Sequence, residues 1–303
     1  MLWLFGDSFI NTKGSRSRRD AELVRNSLAI QTGRDPLTAV MKFYWKEASG
    51  KPASFFSEDG QEWFWPGSGT LLKESLIIFL VRVRTARTEL GFSPSGWKAV
   101  LVSNPARQPD RWSVRSLACP ATGDVLVGSS SVMVMGSYLY AFGTGTSDQS
   151  AYLLRWPLKD ACRGELSKPQ WWMGSISGWV YPGPEAPKPV PVFPGAQMEF
   201  SAGYQPRTSC FLQVQTLSLM EPCLAVRTSK SIRGPWTGAR CIFDPEEKAS
   251  PELLIYAGKA HSVFSSVDIA FTYAVNTMNQ DRILDDMSIY YPVVLKGTFT
   301  RGR

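Results

Sequence analysis

Short apolar runs separated by turns, rather than helical stripes, set the pattern of this chain. "EWFWPGSGTLL", "ESLIIFLVRV" and "WKAVLVS" are followed by "DVLVGSSSVMV", "SYLYAFGTG" and "AYLLRWPL". Next come "MEFSAGY", "CFLQVQTL" and "CLAVRTS", then "LLIYAGKAHSVF", "DIAFTYAVNT" and "YYPVVLKG". Runs of this length, rich in β-branched and aromatic residues and bounded by Gly, Pro, Asn and Ser, predict strands. One stretch, "DAELVRNSLAI", fits a helical period, yet its β-branched tail suits a strand equally well.

The spacing of the runs narrows the architecture. Each group opens on a strand interrupted by small residues: Pro66-Gly67, Gly128-Ser129, Ser201-Ala202 and Gly258. These openings recur at intervals of about 60 to 70 residues, which suits propeller blades joined by long loops. Small residues belong on an innermost strand, because blades converge at the axis and leave no room for bulk. With the N-terminal group as the first blade, the expectation is an all-β, five-bladed β-propeller in a single domain, 1–303. Its blades are expected near 1–50, 53–104, 124–175, 197–244 and 252–300. The proline-rich 180–197, "VYPGPEAPKPVPVFPGAQ", has the same strand pattern on both sides and reads as a long loop between blades, not a domain linker.

Composition changes this picture little. With 44% hydrophobic and 19% charged residues, the chain is globular. "SLIIFLVRV" carries Arg82 and Arg84, and no apolar run approaches the roughly 20 residues of a membrane helix. No insertion in a membrane is expected. The net charge of +7 is scattered except at "KGSRSRR", 13–19, which reads as a solvated loop able to touch an anion. No nucleic-acid motif accompanies it, so nucleic acid is not expected as a partner. The five cysteines show no CxxC spacing, so zinc is not expected, nor any other metal or cofactor. Cys210 and Cys223 could face each other across a hairpin. Aromatic residues make up 12% and recur in turns such as "WFWPGSG", "QWWMGSISGW" and "RGPW". Such flat faces stack on sugar rings, although any single Trp more often fills a core.

In a propeller, polar residues beside the inner strands line the axial funnel, and these are the candidates. Asp7 ends an apolar strand so early that only six residues precede it. It is either a turn cap or half of an active site. Glu62 opens a strand in "SEDGQEWFWPG", where Asp59 belongs to a turn. Glu199 lies in "MEFSAGY" and His261, the one histidine, in "GKAHS". Glycoside cleavage needs two carboxyl groups, and Asp7 and Glu199 fit by position. No P-loop, dinucleotide fingerprint or Ser-His-Asp arrangement is present.

In order, "LWLFGDSFI", "LVRNSLAIQ", "EWFWPGSG", "SNPARQPDRW", "YLLRWPL", "EFSAGY", "RGPW", "YAGKAHS" and "FTYAVNT…IYYPVVL" resemble the DUF4185 family of five-bladed propellers. Part of that family is glycoside hydrolase family 183, endo-acting D-arabinofuranosidases of mycobacterial arabinan. The resemblance implies a monomeric, extracellular enzyme that cuts furanosyl polysaccharide. It makes Asp7 one catalytic carboxyl group and places Glu199, Asn26, Trp65, His261 and Glu62 in the substrate funnel. The family's preceding aspartate, in a "DGAYS"-type strand, would fall upstream of Met1. The expectation is therefore a first blade without its innermost strand, an exposed edge at ring closure, and weak activity or none, because one catalytic carboxylate is missing. "WPGSG" also departs from relatives that carry an acid or another polar group at the position of Ser68. A carbohydrate-binding propeller without catalysis is the other expectation. A protein-binding scaffold using the basic or proline-rich loop is a third.

Overall fold

The computed structural model describes residues 1–35, 37–218, 222–261 and 268–298. Five antiparallel sheets follow one another along the chain and form a five-bladed β-propeller. Blade one contains β1 (Leu2–Phe5), β2 (Ser27–Thr32) and β3 (Val40–Tyr44). Blade two contains β4 (Glu62–Leu72), β5 (Ser75–Thr85), β6 (Phe92–Val102) and β7 (Val114–Ser116). Blade three has five strands: β8 (Val125–Met135), β9 (Tyr138–Gly145), β10 (Ala151–Pro157), β11 (Gln170–Trp172) and β12 (Trp179–Val180). Blade four runs β13 (Ser201–Gln205), β14 (Cys210–Thr216), β15 (Leu224–Ser229) and β16 (Arg240–Phe243). Blade five runs β17 (Leu253–His261), β18 (Asp268–Thr277) and β19 (Pro292–Thr298). The ambiguous "DAELVRNSLAI" is extended: Glu22–Val24 pairs with Ser8–Ile10, and Ser27 begins β2. Short outer strands carry blades two and three past 104 and 175, to Ser116 and Val180.

The small residues of the inner strands are a steric necessity. A Cβ on Gly67 would sit 2.4 Å from the Gly128 carbonyl oxygen of the next blade, and one on Gly258 2.4 Å from the Thr216 nitrogen. Gly128 adopts φ +73°, and a Cβ there would lie 2.3 Å from the Phe79 ring. At these points β4, β8 and β17 slip register against their partners, as bulges do where a strand must turn sharply. A serine beside each contact ties one inner strand to the next. Val132 N–H donates to Ser68 Oγ at 3.2 Å, Ser131 Oγ donates to the Ala202 carbonyl at 2.8 Å, and Ala260 N–H donates to Ser201 Oγ at 2.7 Å. Ser68 is thus occupied as an acceptor between blades.

Apolar side chains fill the wedges between sheets. Leu28, Phe64 and Ile78 pack between blades one and two, and Phe79, Val127 and Trp156 between two and three. Phe142, Phe200 and Phe211 join three to four, and Val214, Leu224 and Phe271 join four to five. Among the described residues no such cluster joins blade five to blade one. There β1 is the end strand of its sheet and is only half-buried.

The ring is closed instead by the basic loop, which is not simply solvated. Arg18 is buried and its guanidinium donates to the carbonyls of Ile283 (2.6 Å), Asp286 (2.9 Å) and Ile289 (2.5 Å) in blade five. Arg19 pairs with Asp281 and Asp285 of the short helix Gln280–Asp285. The Phe9 ring meets Tyr290 edge-on at 5.3 Å. Arg18 is therefore spent inside the fold, while Lys13 and Arg16 remain exposed. The cysteines also differ from expectation: Cys223 is bonded to Cys241 across β15 and β16, and Cys210 is a free thiol. Cys223 precedes β15 at the end where Ala225 pairs with Cys241, whereas Cys210 lies at the opposite end of β14, whose Thr216 pairs with Leu224.

Two consequences follow for stability. Gly128→Ala combines a disfavoured left-handed backbone with overlap on Phe79 and should cost about 3 kcal/mol. Arg18→Ala leaves three carbonyls without their charged donor and should also cost about 3 kcal/mol. Urea denaturation midpoints of the two variants measure both losses.

Candidate active site

The site lies at the closure, where the first strand delivers an acid to the funnel. β1 ends at Phe5, and Gly6 lets the chain run against Trp65 of β4, whose Cδ1 would be 3.4 Å from a Cβ at that position. Asp7 then accepts a hydrogen bond from the Trp65 indole N–H at 2.8 Å and another from Arg25 Nη1 at 3.1 Å. Its side chain is 21% exposed. Arg25 is held in turn: its backbone N–H donates to Ser54 Oγ, and its guanidinium lies 4.5 Å over the Trp63 ring. Trp65 is fixed edge-on against Phe92, with centroids 4.8 Å apart.

Burial raises the Asp7 carboxyl above its usual value, and Glu58 nearby pushes the same way. The Trp65 and Arg25 hydrogen bonds oppose the shift without cancelling it. The hydroxyls of Tyr256 and Tyr290 are driven upward by burial. The charge of Asp7 adds to both and that of Glu199 to Tyr256. Tyr256 stands on β17 at its bulge, immediately before Ala257 at φ +55°. Glu199, just before β13, is about half exposed and faces Lys259 Nζ at 3.9 Å.

The predicted residues divide by position. Asp7 and Trp65 touch, whereas Glu199 pairs with Lys259 and its charge acts on Tyr256. His261 lies at the closure, its ring 4.8 Å from Trp3 and its Nε2 2.9 Å from Thr272 Oγ1. Burial, helped by Lys259, pushes its imidazole down to about 4. Asn26 lies under the site. It is fully buried, its amide donating to the carbonyls of Phe56 and Phe64 and accepting from Phe56 N–H. That side chain supports Arg25 and blade two and has no free group for a ligand. Glu62 accepts from Ser95 Oγ at 2.6 Å and pairs with Arg82; the Ser95 hydrogen bond first, then Arg82, hold its carboxyl below the usual range. Asp59 forms the predicted turn, bridging to Glu62.

Arg25, Tyr256, Tyr290 and Lys259 were not legible as site residues. Arg25 sits one residue from Asn26 in "LVRNS", and Tyr256 and Lys259 flank the glycine of "YAGK". Tyr290 comes from a distant loop that only the ring closure brings in. Among the described residues no group of three or more His, Cys, Asp and Glu side chains is placed to hold a metal. No helix there is long and apolar enough to cross a membrane.

The fold is a five-bladed propeller in which an acid of blade one and an indole of blade two are hydrogen-bonded beside the seam. Residues 1–292 match the sequence model of the domain of unknown function DUF5005, and the chain belongs to that family. The likeness to DUF4185 remains a resemblance of motifs. No curated protein matches the sequence. A Bacteroides ovatus protein provisionally described as a hydrolase has a similar structure, with a TM-score of 0.73, 13% identity, and coverage of 97% of this chain and 81% of that one. At that identity the likeness bears on the fold. Two enzymes are more distant in structure. One is an exo-β-1,3-galactanase from Phanerochaete chrysosporium (TM-score 0.46, 10% identity, 89% of this chain and 60% of that one). The other is a Coprinopsis cinerea α-L-arabinofuranosidase (TM-score 0.42, 11% identity, 91% of this chain and 85% of that one).

His261 makes the closure sensitive to acid. Its folded-state value lies below the unfolded 6.5, so the unfolded chain takes up a proton first. Stability present above pH 6.5 should be lost progressively as pH falls towards 4. Melting temperatures across that window should fall in the parent and fall less in His261→Phe.

Proposed function

We propose that this protein is a glycoside hydrolase acting on furanosyl polysaccharide, with an arabinan-type glycan as the class of substrate and endo-cleavage as the mode. The observation that carries the reading is Asp7: a shielded carboxyl, hydrogen-bonded by Trp65 and Arg25, whose pKa burial raises. The motif resemblance supports the substrate class, and the Bacteroides ovatus protein's description as a hydrolase is consistent with it.

Chemically, a carboxyl kept protonated above the ordinary range is suited to donate its proton to the leaving glycosidic oxygen. Trp65 and Arg25 fix its two oxygens, so the proton is presented in one direction. As the glycosidic bond breaks, the sugar ring develops oxocarbenium character. The second carboxyl group of such a reaction either activates water or attacks the anomeric carbon. Glu58, whose charge acts on Asp7, and Glu199, whose charge acts on Tyr256, are the candidates for that second group. Tyr256, held by Asn276, offers a hydroxyl that stays protonated and can donate to a sugar oxygen. Trp65 offers an aromatic wall for the ring's C–H face.

The test is oligosaccharide release from mycobacterial arabinogalactan. The parent chain should release products, and Asp7→Asn should lower the rate about 10³-fold, the scale of losing a general acid. Activity should fall as pH rises through the elevated Asp7 value. Comparing Glu58→Gln with Glu199→Gln assigns the second group. Absence of products from the parent, with the glycan still bound, would replace this reading with that of a non-catalytic carbohydrate-binding propeller.

A further inference from the structure

The proline-rich 180–197 loop is pinned at both ends and bridges a groove. At its start β12 pairs with β11, and Val190 N–H donates to the Trp172 carbonyl. At its far end Val192 N–H and the Phe193 carbonyl bond Ala151, while Ala196 N–H donates to the Gln149 carbonyl. Arg227 and Gln215 donate to the carbonyls of Pro194 and Gly195. Between these anchors residues 182–189 arch over a groove of about 500 Å³. Its opposite wall includes Thr122, Asp124, Tyr152 and Trp171.

We infer that this groove is a second carbohydrate-binding site, taking a neutral stretch of the same polysaccharide that enters the funnel; the inference rests on the function proposed above. Three observations support it. First, Pro182, Pro184, Pro187 and Pro189 have no N–H, so carbonyl acceptors in 182–189 outnumber amide donors two to one. Only Ala186 N–H to Gly183 closes a backbone bond inside the arch. A ligand rich in hydroxyl donors complements such a wall, whereas an extended peptide brings as many acceptors as donors. Second, the opposite wall offers the half-buried ring of Tyr152, backed edge-on at 6.5 Å by the buried Trp171, beside a carboxylate. Asp124 Oδ2 accepts from Ser147 Oγ, while its other oxygen has no hydrogen bond among the described residues. Neutral sugars are met by this pairing of ring face and single acceptor. Third, the groove opens at the correct end. Thr122 and Asp124 lead into β8 and Tyr152 lies near the start of β10, which places the groove at the end of the propeller where inner strands begin. Asp7 lies at that end too, beside Trp65 near the start of β4. One chain crossing this face can therefore engage blade three while its scissile bond lies in the funnel. Prolines keep the arch extended before binding, which limits the ordering needed on contact.

The experiment uses the intact protein in native gels containing arabinogalactan, alongside cleavage of a short arabino-oligosaccharide. Ala186→Trp fills the groove, and Pro184→Gly/Pro187→Gly loosens the arch; near-ultraviolet circular dichroism reports whether each stays folded. Retardation by the polymer should weaken about tenfold in both variants, with short-substrate cleavage unchanged, while Asp7→Asn should remain retarded and be inactive. Should Ala186→Trp prove unfolded, the double proline variant decides alone. Retardation equal to the parent in a folded groove variant overturns the second site and leaves the hydrolase reading intact. Retardation abolished by Asp7→Asn alone does the same. A parent chain that neither binds nor cleaves the glycan overturns both.

Discussion

A propeller built from one chain must hold its last sheet to its first, and here a single buried guanidinium does most of that. Four of the five wedges between blades are filled by aromatic and aliphatic side chains. Among the described residues the fifth has none of these clusters, and Arg18 reaches across it to three carbonyls at the end of the helix and the loop beyond. A hydrogen bond to a charged donor in a shielded place contributes more than one in water, so three from one side chain can replace a missing apolar wedge. Arg19, exposed and paired with two aspartates, adds less and is screened by salt.

The same closure builds the site. Asp7 belongs to blade one, Trp65 to blade two, Tyr256 and Tyr290 to blade five. They meet because Phe9 and Arg18 hold Tyr290 against the first blade. Inner-strand bulges then set the aim of individual side chains. Tyr256 precedes a residue in left-handed conformation, and the slip in register there turns the strand at the funnel. Close packing between glycines sets the height of each inner strand, and the serine bonds keep neighbouring strands level.

Much of the fold was legible because its cause is local. Alternating short runs, with Gly67, Gly128, Ser201 and Gly258 at regular spacing, report the crowding at the axis directly. The position of Asp7 at a strand end was legible for the same reason. Contacts across the closure were not. "KGSRSRR" reads as a solvated loop until the carbonyls of blade five, some 270 residues away in sequence, appear beside Arg18. Asn26 looks like a ligand-binding amide, yet its partners are backbone groups that no side-chain pattern advertises. Cys223 found its partner through strand pairing in β15 and β16, not through the hairpin spacing to Cys210.

An acid that depends on two blades meeting has a further consequence. The closure is the seam held by polar contacts without an apolar cluster among the described residues, which makes it the place to expect local opening first. Separation of blades one and five would carry Tyr256 and Tyr290 away from Asp7 while the other four interfaces stayed intact. Heat or denaturant would then silence the site in a molecule that still shows its full complement of strands. Residual activity, more than residual secondary structure, would thus be the early gauge of damage to this protein.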